Sequence, residues 1–213
     1  MSRGIFLAIE GIEGSGKTTQ TRKLVEWLER RGIPHVAVRE PGGTPVGEEI
    51  RKILLEGGAV DARAELLLML AARAALVGEV IVPALEAGKV VVTDRFELST
   101  LAYQGYGRGL PLDEVRRLNS FATGGVRPDL TVVLDVPQEE GERRRAAAGR
   151  GPDRIERAGR EFHRRVAEAY ALLSSEEPAI ERVDGTGPAD RVHEEIRARL
   201  AARFPETFAF GPG

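Results

Sequence analysis

GIEGSGKTTQ, residues 11–20, places three glycines within six positions, between the apolar run IFLAI (5–9) and a stretch with helical spacing. Gly11, Gly16, Lys17 and Thr18 fit the pattern G-x-x-x-x-G-K-[ST], and the pattern carries meaning only where a strand precedes it and a helix follows. Both conditions are met here. Glycine lets the backbone turn successive N–H groups inward onto phosphate oxygens, and the N-terminus of the following helix adds its partial positive charge at the same point. Lys17 supplies a point charge for β- and γ-phosphates, and the Thr18 hydroxyl suits a magnesium ion bridging them. Glu13, Gly14, Ser15 and Thr19 complete the candidate nucleotide loop. At average residue frequencies the four fixed positions match by chance in roughly one chain of this length in a hundred. A bare glycine-rich turn is therefore the weaker reading.

Outward from the loop, short apolar runs alternate with longer amphipathic stretches. IFLAI (5–9), HVAV (35–38), KVVVT (89–93), LTVVLDV (130–136) and the weaker IERVD (180–184) read as strands. Runs such as VVV and TVVL lack polar alternation, which suits strands covered on both faces. The fold class expected is α/β: a doubly wound, mostly parallel five-stranded sheet flanked by helices, with a phosphate-loop core and a helical lid. Functional groups then belong at the carboxyl ends of the strands. Helices are expected over Thr18 to Arg31, Val46 to Leu55, Pro111 to Ala122, Arg154 to Leu173 and Pro188 to Arg203. The alanine- and leucine-rich segment from Ala62 to Ala87 reads as two helices jointed at Gly78 and Pro83.

The 213 residues suit one domain, 1–213, and 42% hydrophobic with 30% charged residues is an ordinary globular balance. A formal net charge of -2 confines any basic site to a local patch, so nucleic acid is not an expected partner. Cysteine is absent, which excludes disulfides, thiolate nucleophiles and thiolate metal sites. The N-terminus lacks a signal-peptide pattern, and no stretch reads as the roughly 20 apolar residues of a membrane span. A cytoplasmic protein with no membrane partner is expected.

Three further segments stand at strand ends or on the intervening helix: REPGGTPVGEEIR (39–51), LLLMLAAR (66–73) and TDRFELSTLAYQGYGRG (93–109). In this order behind GIEGSGKTTQ, they resemble bacterial thymidylate kinases, and the resemblance runs from about Ile5 to Leu200. It implies transfer of the γ-phosphoryl group of ATP to dTMP with Mg2+, in a protein that is typically a homodimer. It also implies roles. Glu13 matches the residue that receives the sugar 3′-hydroxyl, and Glu40 an acidic residue near the acceptor. Arg51 and Arg95 match the arginines that grip the acceptor 5′-phosphate, a task suited to the planar guanidinium. Asp94 matches the residue that organises magnesium and its waters. Arg73, Thr100 and Gln104 match residues that read the thymine edge, and Tyr103 the tyrosine against the sugar. Three positions depart from the pattern: Met69 stands where relatives carry a stacking phenylalanine, Leu76 where many have histidine, and Phe96 where many have tyrosine. A thioether can lie against a ring, so dTMP is expected to bind with selectivity over dUMP reduced.

Taken singly, each residue has a plainer reading. Arg51 could balance Glu48 and Glu49 at a helix end, Asp94 and Arg95 could pair with each other, and Tyr103 could be a core aromatic. The rival functions are a kinase of another nucleoside monophosphate and a GTPase-like switch. The only asparagine is Asn119, in LNSF, so the Asn-Lys-x-Asp guanine motif is missing.

GERRRAAAGRGPDRIE (141–156) is basic and poorly periodic, and it reads as a mobile lid running into a helix near Arg154. Ser15 stands in the loop where other members of the family have arginine, so the lid is expected to supply the catalytic arginine. Arg150, between glycines, is the first choice, ahead of Arg143, Arg145 and Arg154. A nucleic-acid patch would want interleaved aromatics, and none lies between Phe121 and Phe162. His35, His163 and His193 have no ligand spacing and receive no role. The tail, 204–213, is expected to fray, and adenine contacts are expected near Gly185 and Thr186.

Overall fold

The computed structural model describes residues 3–147, 149, 151, 153–175 and 177–208. Its strands are β1 (Phe6–Glu10), β2 (His35–Arg39), β3 (Val90–Asp94), β4 (Leu130–Asp135) and β5 (Ile180–Asp184). They form one sheet in the order β2-β3-β1-β4-β5, and every pairing is parallel. The five strands are those legible in the sequence, and the sheet is parallel throughout. β1 is buried along its whole length, which explains why FLAIE shows no alternation.

The helices are α1 (Lys17–Arg30), α2 (Pro45–Glu56), α3 (Ala62–Leu76), α4 (Val82–Glu86), α5 (Glu97–Thr100), α6 (Leu112–Thr123), α7 (Gln138–Ala147), α8 (Arg160–Leu173), α9 (Ala189–Arg203) and α10 (Pro205–Phe208), with π-helical turns at Val77–Ile81 and Leu101–Gly107. Local chemistry sets several boundaries. Thr44 accepts a hydrogen bond from the Gly47 N–H at 3.0 Å, and Pro45 occupies the first helical position, where its missing N–H costs nothing.

Five features differ from the sequence expectation. Gly78 and Pro83 do not break the 62–87 segment, because the π turn absorbs the mismatch and the helix runs on from Ala62 to Glu86. By length and composition alone that helix could cross a membrane, which corrects the expectation that no stretch could. Yet Leu66, Leu70, Leu76 and Ile81 pack into the core, and Glu65 and Arg73 are buried in ion pairs. Between Asp153 and Glu156, the helix expected at Arg154 is replaced by a closed turn. The Asp153 N–H donates to the Glu156 carboxylate at 3.0 Å, and the Glu156 N–H returns a bond to Asp153 at 2.8 Å. Gly159 then caps α8, which begins at Arg160. The expected helical lid starts earlier in the chain than Arg154: α7 covers its first residues, has no apolar stripe and is held by Glu140 pairing with Arg143 and Arg144, one turn on. Finally, the tail does not fray at Phe208. Phe208 is fully buried, its ring 5.6 Å from that of Trp27 and 6.1 Å from that of Phe204. Residues 209–213 lie outside the described residues.

His193 is buried on α9 with neither ring nitrogen hydrogen-bonded. Burial lowers its pKa to about 4, helped by repulsion from Arg197, Lys23 and Arg30, against weak attraction from Asp190. The folded protein therefore binds fewer protons than the unfolded chain between about pH 4 and the ordinary imidazole value near 6.5. Stability from this group is present above pH 6.5 and lost as the pH falls through 4. Denaturation midpoints measured across that window should fall less steeply for His193→Leu than for the wild type.

Candidate active site

All the strands run in the same direction, so their carboxyl ends form one edge, and the phosphate loop sits there between β1 and α1. Gly16 adopts φ 98° and Gly14 φ 76°, conformations that L side chains rarely reach. A Cβ on Gly14 would collide with the Gly141 carbonyl of α7, and one on Gly141 would meet the Glu13 carbonyl. The loop and the lid helix thus touch backbone to backbone, which only glycine permits.

A cleft of about 1150 Å³ opens over this edge. The phosphate loop from Glu13 to Thr19 lines it, together with Glu40, Arg51, Met69, Arg73, Asp94, Arg95, Thr100, Tyr103 and Gln104. Every acceptor-side residue named from the sequence therefore faces the same space, which is large enough for two nucleotides to meet. Gly11, at the start of the loop, is buried behind it.

The Thr18 hydroxyl donates to the Asp94 carboxylate at 2.7 Å. Two hard oxygen groups thus stand side by side where β3 ends and α1 begins. Among the described residues, no group of three or more His, Cys, Asp or Glu could cage a metal unaided. A cation at Thr18 and Asp94 would complete its shell with water and phosphate oxygens, which suits magnesium.

Arg95 follows β3 in a left-handed conformation, φ 76°, which costs a non-glycine residue of order 1 kcal/mol or more. Tertiary bonds hold it there. Its Nη1 donates to the Gly11 carbonyl at 3.2 Å, the Ser99 hydroxyl at 2.9 Å and the Tyr170 hydroxyl at 3.2 Å. Its Nη2 pairs with Glu13 and donates to the Tyr103 hydroxyl at 3.1 Å. Behind these groups the fully buried Glu10 accepts from the Ser99 hydroxyl at 2.6 Å and the Tyr170 hydroxyl at 2.8 Å. Both hydroxyls spend their protons on Glu10 and turn lone pairs toward Arg95. Asp94 and Arg95 therefore take separate partners and do not pair with each other.

The charges are coupled. Burial pushes the Glu13 carboxyl up, but Arg95, Lys17 and Tyr103 overcome it and hold the group at about 2. Burial, then repulsion from Arg95, pulls the Lys17 ammonium down to about 8 against Glu13, Asp94 and Glu10. Lys17 donates to the Ile12 carbonyl at 2.7 Å, so it lies folded into the loop.

Arg51, on α2, donates to the Pro41 carbonyl at 2.9 Å and faces the cleft, while Glu48 pairs with Arg39 and Glu49 with Lys52. Arg51 stands inside α2 rather than at its end, and Glu48 still attracts it. Arg73 is buried, and all five of its N–H groups are taken. They go to the Glu40 carboxylate, the Thr100 hydroxyl at 2.9 Å, the Asn119 side-chain carbonyl and the Phe96 carbonyl at 3.0 Å. Its guanidinium also lies 5.1 Å from the Phe96 ring centre, so phenylalanine at that position is a packing partner of the arginine. Leu76 is wholly buried.

Among the lid arginines, Arg145 lines the cleft, while Arg143 points outward in a pair with Glu140. Arg154 is turned away into the core, donating to the Leu54 carbonyl at 2.7 Å and pairing with Glu65 at 2.7 Å. Arg150 lies outside the described residues. Arg144 donates to the carbonyls of Gly185 and Thr186 at 2.9 and 3.1 Å, at the place expected for adenine. Sequence reasoning missed Arg144, Glu10, Ser99, Tyr170, Asn119 and Glu65. Ser99 lies in the 93–109 segment and Arg144 in the 141–156 segment without having been singled out there, and each of the six acquires its place through partners far along the chain.

Residues 9–196 match the family described as thymidylate kinase. Over 206 residues the chain is 48% identical to the thymidylate kinase of Synechococcus sp. (strain JA-3-3Ab), covering 94% of this chain and 99% of that protein. Over 192 residues it is 50% identical to the thymidylate kinase of Pelotomaculum thermopropionicum (strain DSM 13744 / JCM 10971 / SI), covering 89% of each.

Proposed function

The chain belongs to the thymidylate kinase family, and on that premise we propose that it transfers the γ-phosphoryl group of ATP to dTMP, giving dTDP and ADP. The observation that carries the reading is that the phosphate loop, Arg51 and Arg95 line one shared cleft. An acceptor phosphate oxygen attacks the γ-phosphorus, the bond from that phosphorus to the β–γ bridging oxygen breaks, and ADP leaves. The acceptor is already ionised, so no side-chain base is needed, and positioning with charge neutralisation lowers the barrier.

In this reading the loop amides and Lys17 hold the ATP phosphates, while Arg51 and Arg95 hold the dTMP phosphate. Glu13 receives the sugar 3′-hydroxyl, Tyr103 lies against the sugar, and Met69, Thr100 and Gln104 face the base. Glu40 acts through Arg73, whose saturated guanidinium supports a role in shaping the base pocket more than in donating to the base. Thr18 and Asp94 would hold Mg2+, which when bound neutralises phosphate charge. Arg150 is proposed as the lid arginine that approaches the γ-phosphate, on the ground that Ser15 cannot.

A homodimer is part of the proposal. The Leu66 to Val82 stripe is mostly core, but Leu67 on α3 and Phe121 on α6 are exposed and support an apolar contact face. A cytoplasmic location follows from the soluble nucleotides it would use. Coupled assays of ADP release with dTMP, dUMP, dCMP and AMP test the reading: dTMP should be the preferred acceptor. Preference for any of the others overturns it.

A further inference from the structure

Beneath the base end of the cleft, Glu65 stands in the first turn of α3 with no exposed surface. Three hydrogen-bond donors and one further guanidinium converge on its two oxygens. Gln104 Nε2 donates to Oε1 at 2.8 Å and Arg108 Nε to the same oxygen at 3.0 Å. Arg108 Nη2 reaches Oε2 at 2.9 Å, and Arg154 Nη2 pairs with it at 2.7 Å. Three hydrogen bonds and an ion pair thus compensate the buried carboxylate. Arg154 is pinned from its other side by the Leu54 carbonyl, and its own N–H donates to the Leu55 carbonyl at 3.1 Å.

An ionised carboxylate only accepts hydrogen bonds. The amide of Gln104 must therefore turn its NH2 end to Glu65, whichever way the two ends would be assigned by shape alone. Its carbonyl is the end left for the cleft that Gln104 lines. A carbonyl there accepts from a pyrimidine ring nitrogen that carries hydrogen, as N3 does in thymine and uracil. In cytosine N3 has a lone pair and no hydrogen, and the two acceptors would repel.

We propose that Glu65 is a positioning residue which fixes the Gln104 amide with its oxygen toward the base, so that monophosphates of N3–H pyrimidines are accepted and those of cytosine are rejected. The inference rests on the kinase reading above. It also explains why a buried acidic group is kept beneath a base pocket it does not touch. Arg108 and Arg154 are donors only, so they make the consequence of neutralising Glu65 specific. In Glu65→Gln the new amide would aim its single oxygen at the arginines and its NH2 at Gln104. Gln104 would then turn its carbonyl inward and its NH2 to the base.

The test is kcat/KM for dTMP, dUMP and dCMP, with ATP as donor, in the wild type and in Glu65→Gln. The values for dTMP and dUMP should fall together by about tenfold while that for dCMP rises, shrinking the dTMP-to-dCMP ratio by about thirtyfold or more. A structural defect alone would lower all three alike, and an unchanged ratio overturns the role of Glu65. Arg154→Met disturbs the same cluster but leaves the Gln104 bond, so it should keep the wild-type ratio; a collapse of the ratio there also overturns the proposal. Should Glu65→Gln fail to fold, Glu65→Asp keeps the charge for the arginines and withdraws it from Gln104, and its ratio must fall for the proposal to stand. A wild type inactive on dTMP would instead overturn the kinase reading itself.

Discussion

Arg95→Met should lower kcat/KM for dTMP by about 10³-fold, with KM for ATP changing far less. The guanidinium is the convergence point of the acceptor side, bonded to Glu13, Tyr103, Ser99, Tyr170 and the Gly11 carbonyl. Its removal deletes a cation from the path of an incoming phosphate and leaves Glu13 without its principal partner. The second effect compounds the first, because an uncompensated carboxylate repels phosphate. Arg95→Lys keeps the charge without the planar pair of donors, and should retain part of the activity. Since neither replacement is glycine, the left-handed backbone at this position is burdened equally in both. Steady-state kinetics with each substrate varied in turn would decide the matter, and a methionine variant within tenfold of wild type would remove Arg95 from the acceptor site.

Arg73→Met should cost about 3–5 kcal/mol of stability, the range for breaking a buried ion pair from one side. Arg73 and Glu40 are both almost wholly buried, and burial already pushes the Glu40 carboxyl up against the pull of Arg73. Without the guanidinium, the Glu40 carboxylate, the Thr100 hydroxyl and the Phe96 and Asn119 carbonyls lose a shared donor. Adding Glu40→Gln to Arg73→Met removes the stranded charge, so the double variant should be more stable than Arg73→Met alone. Urea unfolding measures both, read as a shift in midpoint at constant slope. A loss below about 1 kcal/mol in the single variant would show that Glu40 finds another partner or takes up a proton cheaply.

How much of this was legible beforehand depends on how locally each feature is made. The phosphate loop needs only contiguous residues, since Gly14 and Gly16 turn the backbone and Lys17 and Thr18 follow at once, and it was read in full. The strands were read because burial on both faces forces unbroken apolar runs such as VVV at 90–92. α7 was not read as a helix, because Glu140 with Arg143 and Arg144 stabilises it without any apolar stripe to mark it. Phe208 looked like part of a loose tail, and partners such as the Trp27 ring, 181 positions earlier by residue number, make it core.

The sequence by itself determined the parallel α/β sheet and the phosphate loop, because backbone conformation and burial pattern are written in neighbouring residues, while the acceptor-side residues came from the resemblance to thymidylate kinases. Only the tertiary structure decided what those side chains are free to do. Arg95 meets Glu13 across 82 positions and Gln104 meets Glu65 across 39, and hydrogen-bond saturation depends on which donors and acceptors the fold brings within 3 Å.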